Sequence, residues 1–431
     1  MENLLILDWS TKKAQTVYFN SHETSKFKSN LNEVFFSMPT DESKNNFLLI
    51  SLLENNSMRH QAKFINTYLT ALNFNKSRSY RIALRVLLFG QIKNWRTNFS
   101  IKDLILMFEF SKLYLYVAAI LGILKVPKII IFATFKFYST HIYNFLAEIN
   151  NLGIQFIIIR DTGRSNFYYL TYFLPKKIKV LDILYGWDNS SIKYFPSSNV
   201  THIATWNTQQ IQEIKRVCAN SSVQFTTVGS HLADITYLKY SALKSRNIAP
   251  YSKEILVIGM FNQTMEVMEL INIKKFMNQL VSSHYSGLVY RPHPDSSKSI
   301  KLFNKSMAHT HGIKLSKEAS LDFRDFSAVI CFPTSMLLEV IVSRVPAILF
   351  APKHKRFRTD PFTVYQMDHF KLIREIKPLT VSHNINDLKN VLASGIPNQN
   401  PLDNYQFSQI FPNFHSEYSD RILKLASTIF E

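Results

Sequence analysis

Residues 288–297 read Leu-Val-Tyr-Arg-Pro-His-Pro-Asp-Ser-Ser, and the fold class follows from how this stretch is read. An apolar run ending at Tyr290 is cut by Arg291-Pro292-His293-Pro294, with a polar tail behind it. Each proline biases the residue before it toward extended backbone and removes an N–H. Arg291 and His293 are therefore held in a stiff, extended segment just past a strand. Arg is a forked anion donor and His a switchable one. In open α/β sheets, ligands bind in loops at the carboxyl ends of strands. The pattern points to Arg291 and His293 facing a phosphate-bearing ligand. The plainer alternative is a strand exit with two solvated side chains.

Outward from this stretch, strands and helices alternate. On its N-terminal side come a strand at 254–260 (EILVIGM) and a helix at 266–282. Beyond it lie a strand at 328–332, a turn at 333–335, a helix at 336–342 and a strand at 347–350. Helices are expected at 385–393 and 416–428. Further upstream, 128–133 (KIIIFA) reads as a strand, 140–150 as a helix, and 151–153 as its cap with Gly at the usual place. Residues 154–159 form the next strand, and strand–helix–strand predicts parallel pairing. Strands follow at 179–184, 200–205 and 223–228, with Asn207 or Thr208 capping a helix that runs to about Cys218. At the start, 4–8 is a buried strand and 11–46 is polar and weakly periodic. Residues 47–53 are a second apolar run, 58–100 read as basic helices, and 101–124 are apolar at helical spacing. Periodicity lapses at 237–251, which reads as a linker. The expectation is an N-terminal α/β domain at 1–237 and a C-terminal one at 251–415. A last helix at 416–431 would cross back to the first.

The chain of 431 residues is long enough for two or three domains. A hydrophobic content of 46% against 19% charged residues supplies a core and excludes disorder. The formal charge of +19 favours polyanionic partners: phosphorylated substrates, anionic lipid or nucleic acid. No zinc-finger spacing or RNP-like aromatic motif appears, so nucleic acid ranks last among these. The two cysteines, Cys218 and Cys331, have no metal-ligand spacing and read as reduced thiols of a reducing compartment. Residues 1–13 lack the apolar core of a signal peptide. The longest apolar region, 113–135, is interrupted by Lys125, Pro127 and Lys128, and falls short of the ~20 residues of a membrane span. A cytoplasmic protein, peripheral on the inner face of the membrane, is expected.

The second informative stretch is Cys331-Phe332-Pro333-Thr334-Ser335-Met336-Leu337-Leu338-Glu339. A buried strand gives way to a hydroxyl pair opening a helix, whose first turn offers free N–H groups and a positive dipole end. That combination suits phosphate; the alternative is an ordinary Thr/Ser cap. Glu339 lies about one helical turn beyond Ser335. It could accept from a ribose hydroxyl or simply be a solvated helix residue. In the N-terminal half, polar turns follow two strands: Arg160-Asp161-Thr162-Gly163-Arg164, and Gly186-Trp187-Asp188-Asn189-Ser190-Ser191.

Taken together, a strand followed by Arg-Pro-His-Pro, then a strand followed by Pro-Thr-Ser, Leu-Leu-Glu and Val-Pro, resembles the C-terminal half of bacterial GT-B transferases of surface polysaccharide synthesis. The group includes the CDP-glycerol glycerophosphotransferases of teichoic acid synthesis and capsular Kdo and sialic acid transferases. The Trp187-Asp188-Asn189 turn, the strand leading to Trp206 and the strand ending at Gly229 are similar to the middle of such proteins. The resemblance spans roughly residues 128–350. It implies two Rossmann-like domains facing a cleft and transfer from a nucleotide-activated donor to a glycan or polyprenyl-linked acceptor of capsule, lipopolysaccharide or similar material. By the same analogy Arg291, His293, Thr334 and Ser335 contact the donor phosphate and Glu339 the ribose. No metal and no cofactor are implied, and a cytidine nucleotide is one candidate donor. Transfer of a polyol phosphate from a CDP donor, and a non-catalytic nucleotide-binding relative, remain alternatives.

The acceptor hydroxyl needs a general base. Where the teichoic-type transferases carry a His-Gly pair after an aromatic residue, this chain has Asp188-Asn189, which makes Asp188 the first candidate base. Asp161 is the second, and each has the alternative of a turn-forming Asp. Basic groups at Lys125, Lys128 and Lys136, at Lys176, Lys177 and Lys179, and at Lys353, Lys355, Arg356 and Arg358 suit an anionic membrane. They equally suit a solvated lysine-rich surface.

Overall fold

The computed structural model describes residues 2–8, 13–19, 146–147, 149–151, 153–160, 171, 174–184, 187, 199–217, 222–241, 253–260, 263–279, 285–293, 298–316, 321–353, 360–396, 404–412 and 416–430. The expected strand at 128–133, the apolar run at 47–53, the apolar stretch at 101–124 and the basic helices of 58–100 lie outside these residues. The chain divides into two compact units: Met1–Gly229 together with His415–Glu431, and Ser230–Phe414. Each is built on its own sheet.

The first sheet has the order β2-β1-β3-β4-β5-β6. Its strands are β1 (Glu2–Asp8), β2 (Lys13–Phe19), β3 (Ile154–Arg160), β4 (Lys179–Ile183), β5 (His202–Thr205) and β6 (Gln224–Thr227). β1 and β2 pair antiparallel, and the other pairs are parallel. The β1–β2 hairpin corrects the reading of 11–46 as polar and weakly periodic, since β2 (KAQTVYF) lies in that stretch. β3 is flanked by β1 on one edge and β4 on the other, so it has no free edge for the neighbour expected from 128–133. Central parallel strands are buried on both faces and need continuous apolar runs. β3 meets this with Phe156, Ile157, Ile158 and Ile159, all buried.

β5 leads into α1 (Thr208–Val217), capped by Asn207, whose Oδ1 accepts from the Gln210 amide at 3.1 Å. One sheet face, carrying Phe156, Ile158, Leu181, Ile183 and Ala204, packs on Tyr418, Ile422, Ala426 and Ile429 of the C-terminal helix, Tyr418–Phe430. Two cations fasten that helix. Lys179 Nζ donates to the Ile429 carbonyl at 2.7 Å, and Arg421 Nε donates to the Val228 carbonyl at 2.5 Å.

The second unit opens with α2 (His231–Ser241), capped by Ser230 after Gly229 at φ 78°. The stretch read as a linker therefore begins inside a helix that belongs to this unit. There follow β7 (Glu254–Ile258), α3 (Gln263–Gln279), β8 (Gly287–Arg291), α4 (Lys298–Thr310) and β9 (Lys314–Leu315). Next come β10 (Ala328–Cys331), α5 (Met336–Ser343), β11 (Ala347–Phe350), α6 (Pro361–Tyr365), α7 (Lys371–Ile376) and β12 (Thr380–Ser382). α8 (Ile385–Ser394) and α9 (Asn404–Ile410) close the unit. Gly312 ends α4 with φ 65°, and the Ile313 amide reaches back to the Ala308 carbonyl at 2.8 Å, a left-handed cap that suits glycine.

All strands of the second sheet are parallel, in the order β12-β11-β10-β7-β8-β9. The first three strands run outward from β7, and the chain then returns to lay the next three on β7's other side. This is the doubly wound Rossmann order, and its reversal lies between β7 and β10. One sheet face buries Ile255, Val257, Tyr290, Ile330, Phe332 and Phe350 against Leu270 and Ile273 of α3, Ala308 of α4, and Leu388 and Leu392 of α8. The fold is α/β, with two Rossmann-like units in one chain.

Candidate functional site

A doubly wound sheet binds ligands outside the carboxyl ends of its strands where the order reverses. In the second unit that place is the end of β7, at Ile258-Gly259. Two hydrogen bonds fix what flanks it. The Gly259 amide donates to the Arg291 carbonyl at 2.9 Å, and the Phe332 amide donates to the Ile258 carbonyl at 3.1 Å. The exits of β8 and β10 are thus tied to β7 from opposite sides. With neighbouring strands about 4.8 Å apart, those exits stand roughly 10 Å from each other. The fold brings Arg291 and His293 to one side of this edge, and Thr334 and Ser335 to the other.

On the β8 side, Tyr290 is fully buried and anchors the exit. Arg291, Pro292 and His293 are half-buried. Arg291 and His293 each have an interaction partner within the chain. On the β10 side, Phe332 is fully buried and packs edge-to-face on Phe350 with centroids 5.5 Å apart. Thr334 is half-buried and Ser335 exposed.

Ser335 stands at the N-cap of α5 but has helical backbone angles, φ −61° and ψ −26°, and its side chain makes no capping bond. An N-cap that accepts an amide bond sits in extended backbone. The ordinary-cap alternative for Ser335 is therefore not what the geometry holds, and its hydroxyl is left to solvent or a ligand. The first bonds at the helix start run from the Leu337 amide to the Thr334 carbonyl, 3.0 Å, and from Leu338 to Ser335, 3.2 Å. The amides of Thr334, Ser335 and Met336 precede them, as the orphan donors of a helix start do. Leu337, Leu338, Val340, Ile341 and Val342 are buried, so α5 is firmly seated, and α2 packs against it. Glu339 lies in the first turn, half-buried and with a partner in the chain.

This edge can hold an anion between a guanidinium and imidazole on one side and hydroxyls with a helix-start dipole on the other. Asp161 and Asp188, the candidate bases, lie outside the described residues; Trp187, before Asp188, is buried. The first unit also holds a carboxylate that the sequence reading passed over. Asp182, within β4, is fully buried and has a partner in the chain. The signal for it was available: an acid inside an apolar strand is buried only when paired. Gly259 was missed too, because a single glycine after a strand means little until the strand order makes it the switch point. Among the described residues, no group of three His, Cys, Asp or Glu side chains is placed to hold a metal ion.

No protein-family model matches the chain, and no curated protein matches it. Among solved structures it is similar to the UDP-GlcNAc 2-epimerase of Methanocaldococcus jannaschii, with 11% identity, a TM-score of 0.44, and coverage of 68% of this chain and 81% of that one. It is also similar to the wall teichoic acid polymerase TagF, with 11% identity, a TM-score of 0.37, and coverage of 64% and 73%. The lipopolysaccharide outer core galactosyltransferase WaaB gives 10% identity, a TM-score of 0.37, and coverage of 68% and 80%. The architecture assigned above is read from the strand order of the chain itself.

Proposed function

We propose that the protein is a glycosyltransferase that takes a sugar from a nucleotide-activated donor and passes it to a surface glycan or lipid-linked acceptor. What supports this reading is the anion-binding edge of the second unit, where the Arg291–His293 exit and the Thr334–Ser335 helix start flank the end of β7. In this reading the donor phosphate occupies that edge, and Glu339 contacts the ribose. As the bond to the sugar breaks, charge builds on the leaving nucleotide. In this reading Arg291, His293, the two hydroxyls and the α5 amides offset that charge. The acceptor hydroxyl gives its proton to a carboxylate, with Asp188 the first candidate and Asp161 the second. The donor is a substrate, and the proposed chemistry uses no metal or cofactor.

Transfer of a polyol phosphate from a CDP donor is the second reading. A non-catalytic nucleotide-binding relative is the third. Among the described residues no helix is long and apolar enough to cross a membrane. In this reading a lipid-linked acceptor is met at an anionic bilayer surface. The test is thermal shift against CMP, CDP, UDP and GDP. Binding at a hundred times Kd adds about 2.7 kcal/mol to the folded state, a shift of several degrees. Stabilisation by none of the four removes the donor-site reading. Appearance of a polyol phosphate on the acceptor favours the polyol phosphate reading, and binding without turnover favours the non-catalytic one.

A further inference from the structure

α3, α4 and α8 form the layer that covers one face of the second sheet, and α3 packs against both of the others. Their inward residues, among them Leu270, Ile273, Ala308, Leu388 and Leu392, are core. Their outward face has a different character. On α4, Lys301, Leu302, Lys305 and His309 are exposed, and at 3.6 residues per turn they fall on one side of the helix. Leu302 is 68% exposed, and on α3 Met268 is 53% exposed and Lys275 is exposed as well.

α4 contains no acidic residue. Among the described side chains of the layer, the acids are Glu269, which is buried, and Asp387 at the start of α8, which accepts from Asn384 Nδ2 at 2.5 Å. A lone exposed leucine is ordinary. Two large aliphatic side chains on adjoining helices, set among lysines with few acids among the described side chains to offset them, are the arrangement of a surface that meets anionic lipid.

We propose that the outer face of α3 and α4 docks on an anionic bilayer, with Leu302 and Met268 entering the headgroup layer and Lys275, Lys301 and Lys305 meeting lipid phosphates. Lipid is favoured over nucleic acid because the exposed apolar groups are aliphatic; single-stranded nucleic acid is gripped by stacking aromatics. α4 follows directly from the Arg291–His293 exit, so docking would hold the candidate donor edge close to a lipid-linked acceptor. This deepens the membrane part of the proposed function and uses none of its nucleotide chemistry.

The test is co-sedimentation of the full chain with phosphatidylcholine vesicles, with and without phosphatidylglycerol, at low and high salt. Binding should require phosphatidylglycerol and weaken with salt. Each lysine near an anionic surface contributes a factor of roughly five, so Lys301→Ala/Lys305→Ala should lower binding about 25-fold. Leu302→Ser should lower it several-fold more. Both variants should keep the wild-type melting temperature and nucleotide-induced shift, so failure of the surface and failure of the donor site read out separately. The proposal is overturned if the wild type ignores anionic vesicles or the lysine variant binds them as well as the wild type. It is also overturned if single-stranded DNA binds more tightly than the vesicles and shows the same loss on substitution.

Discussion

Arg291 is held at both ends of its backbone. Its carbonyl is bonded to Gly259, and Tyr290 before it is locked in the core. The guanidinium therefore starts from a fixed base, which is what makes a single side chain matter to an anion. A charge-assisted bond contributes about 1.5–3 kcal/mol, so Arg291→Ala should weaken nucleotide binding roughly 10- to 150-fold by titration calorimetry. Arg291→Lys should recover only part of that, because the fork is lost. His293→Ala should abolish transfer while the melting temperature stays within a degree or two; retained full activity would place His293 outside the site. Ser335 offers a sharper contrast. Asn384 caps α8 with its side chain, accepting from the Asp387 amide at 2.9 Å, whereas Ser335 makes no such bond. Asn384→Ala should cost about 1 kcal/mol in urea denaturation, and Ser335→Ala under 0.5 kcal/mol while still weakening nucleotide binding. Equal costs would mean that Ser335 is an ordinary cap after all. Thr334 and Ser335 were recognisable from their place before Leu-Leu-Glu. That the Ser335 hydroxyl is not spent on capping depends on φ and ψ, which residue identity does not carry.

The elements divide by how they were built. Strands of four or five buried apolar residues, such as β7, β10 and β11, stand out because burial on both faces demands an unbroken apolar run. The sheet-edge strands β9 and β12, of two and three residues, carry too few residues for any periodicity and were not foreseen. α4 was missed because 298–310 is lysine-rich and follows a proline-bound turn. On β5, His202 Nε2 pairs with Gln224 Oε1 at 2.9 Å across to β6. Burial lowers its pKa below the ordinary 6.5; the Gln224 bond opposes this and nearby Lys179 adds to it. The folded state thus binds this proton less readily than the unfolded chain. The resulting stability is present above about pH 6.5 and lost as pH falls toward the lower folded value. Melting temperatures between pH 5 and 7.5 should fall on the acid side, and less steeply in His202→Gln; identical slopes would exclude His202 as a source.

At the scale of the molecule, the first unit is assembled from two distant parts of the chain, since the C-terminal helix lies in its core. Ile422 is fully buried there, and Ile422→Ala should destabilise by about 2–5 kcal/mol. Calorimetry resolving two transitions should show this loss in one of them only. Nucleotide should raise the other, because Arg291 and Thr334 belong to the second unit. A nucleotide effect on the transition that Ile422→Ala lowers would move the candidate site out of the second unit.

Some of this protein is written locally and some is not. Apolar runs, a proline-stiffened Arg-Pro-His-Pro exit and a hydroxyl pair before a helix are short-range features, set by side-chain identity and spacing, and they are legible in the sequence. Their convergence on one point is not. Residues 291 and 334 are far apart in the chain and meet only because β10 returns to the free edge of β7 after β8 and β9 have been laid on the other. That strand order reflects the packing of whole helices on a sheet, a long-range balance that local spacing does not encode. The C-terminal helix was expected to cross back to the first unit, and its amphipathic pattern marks a buried face; which residues of the first sheet that face covers is decided by the tertiary structure.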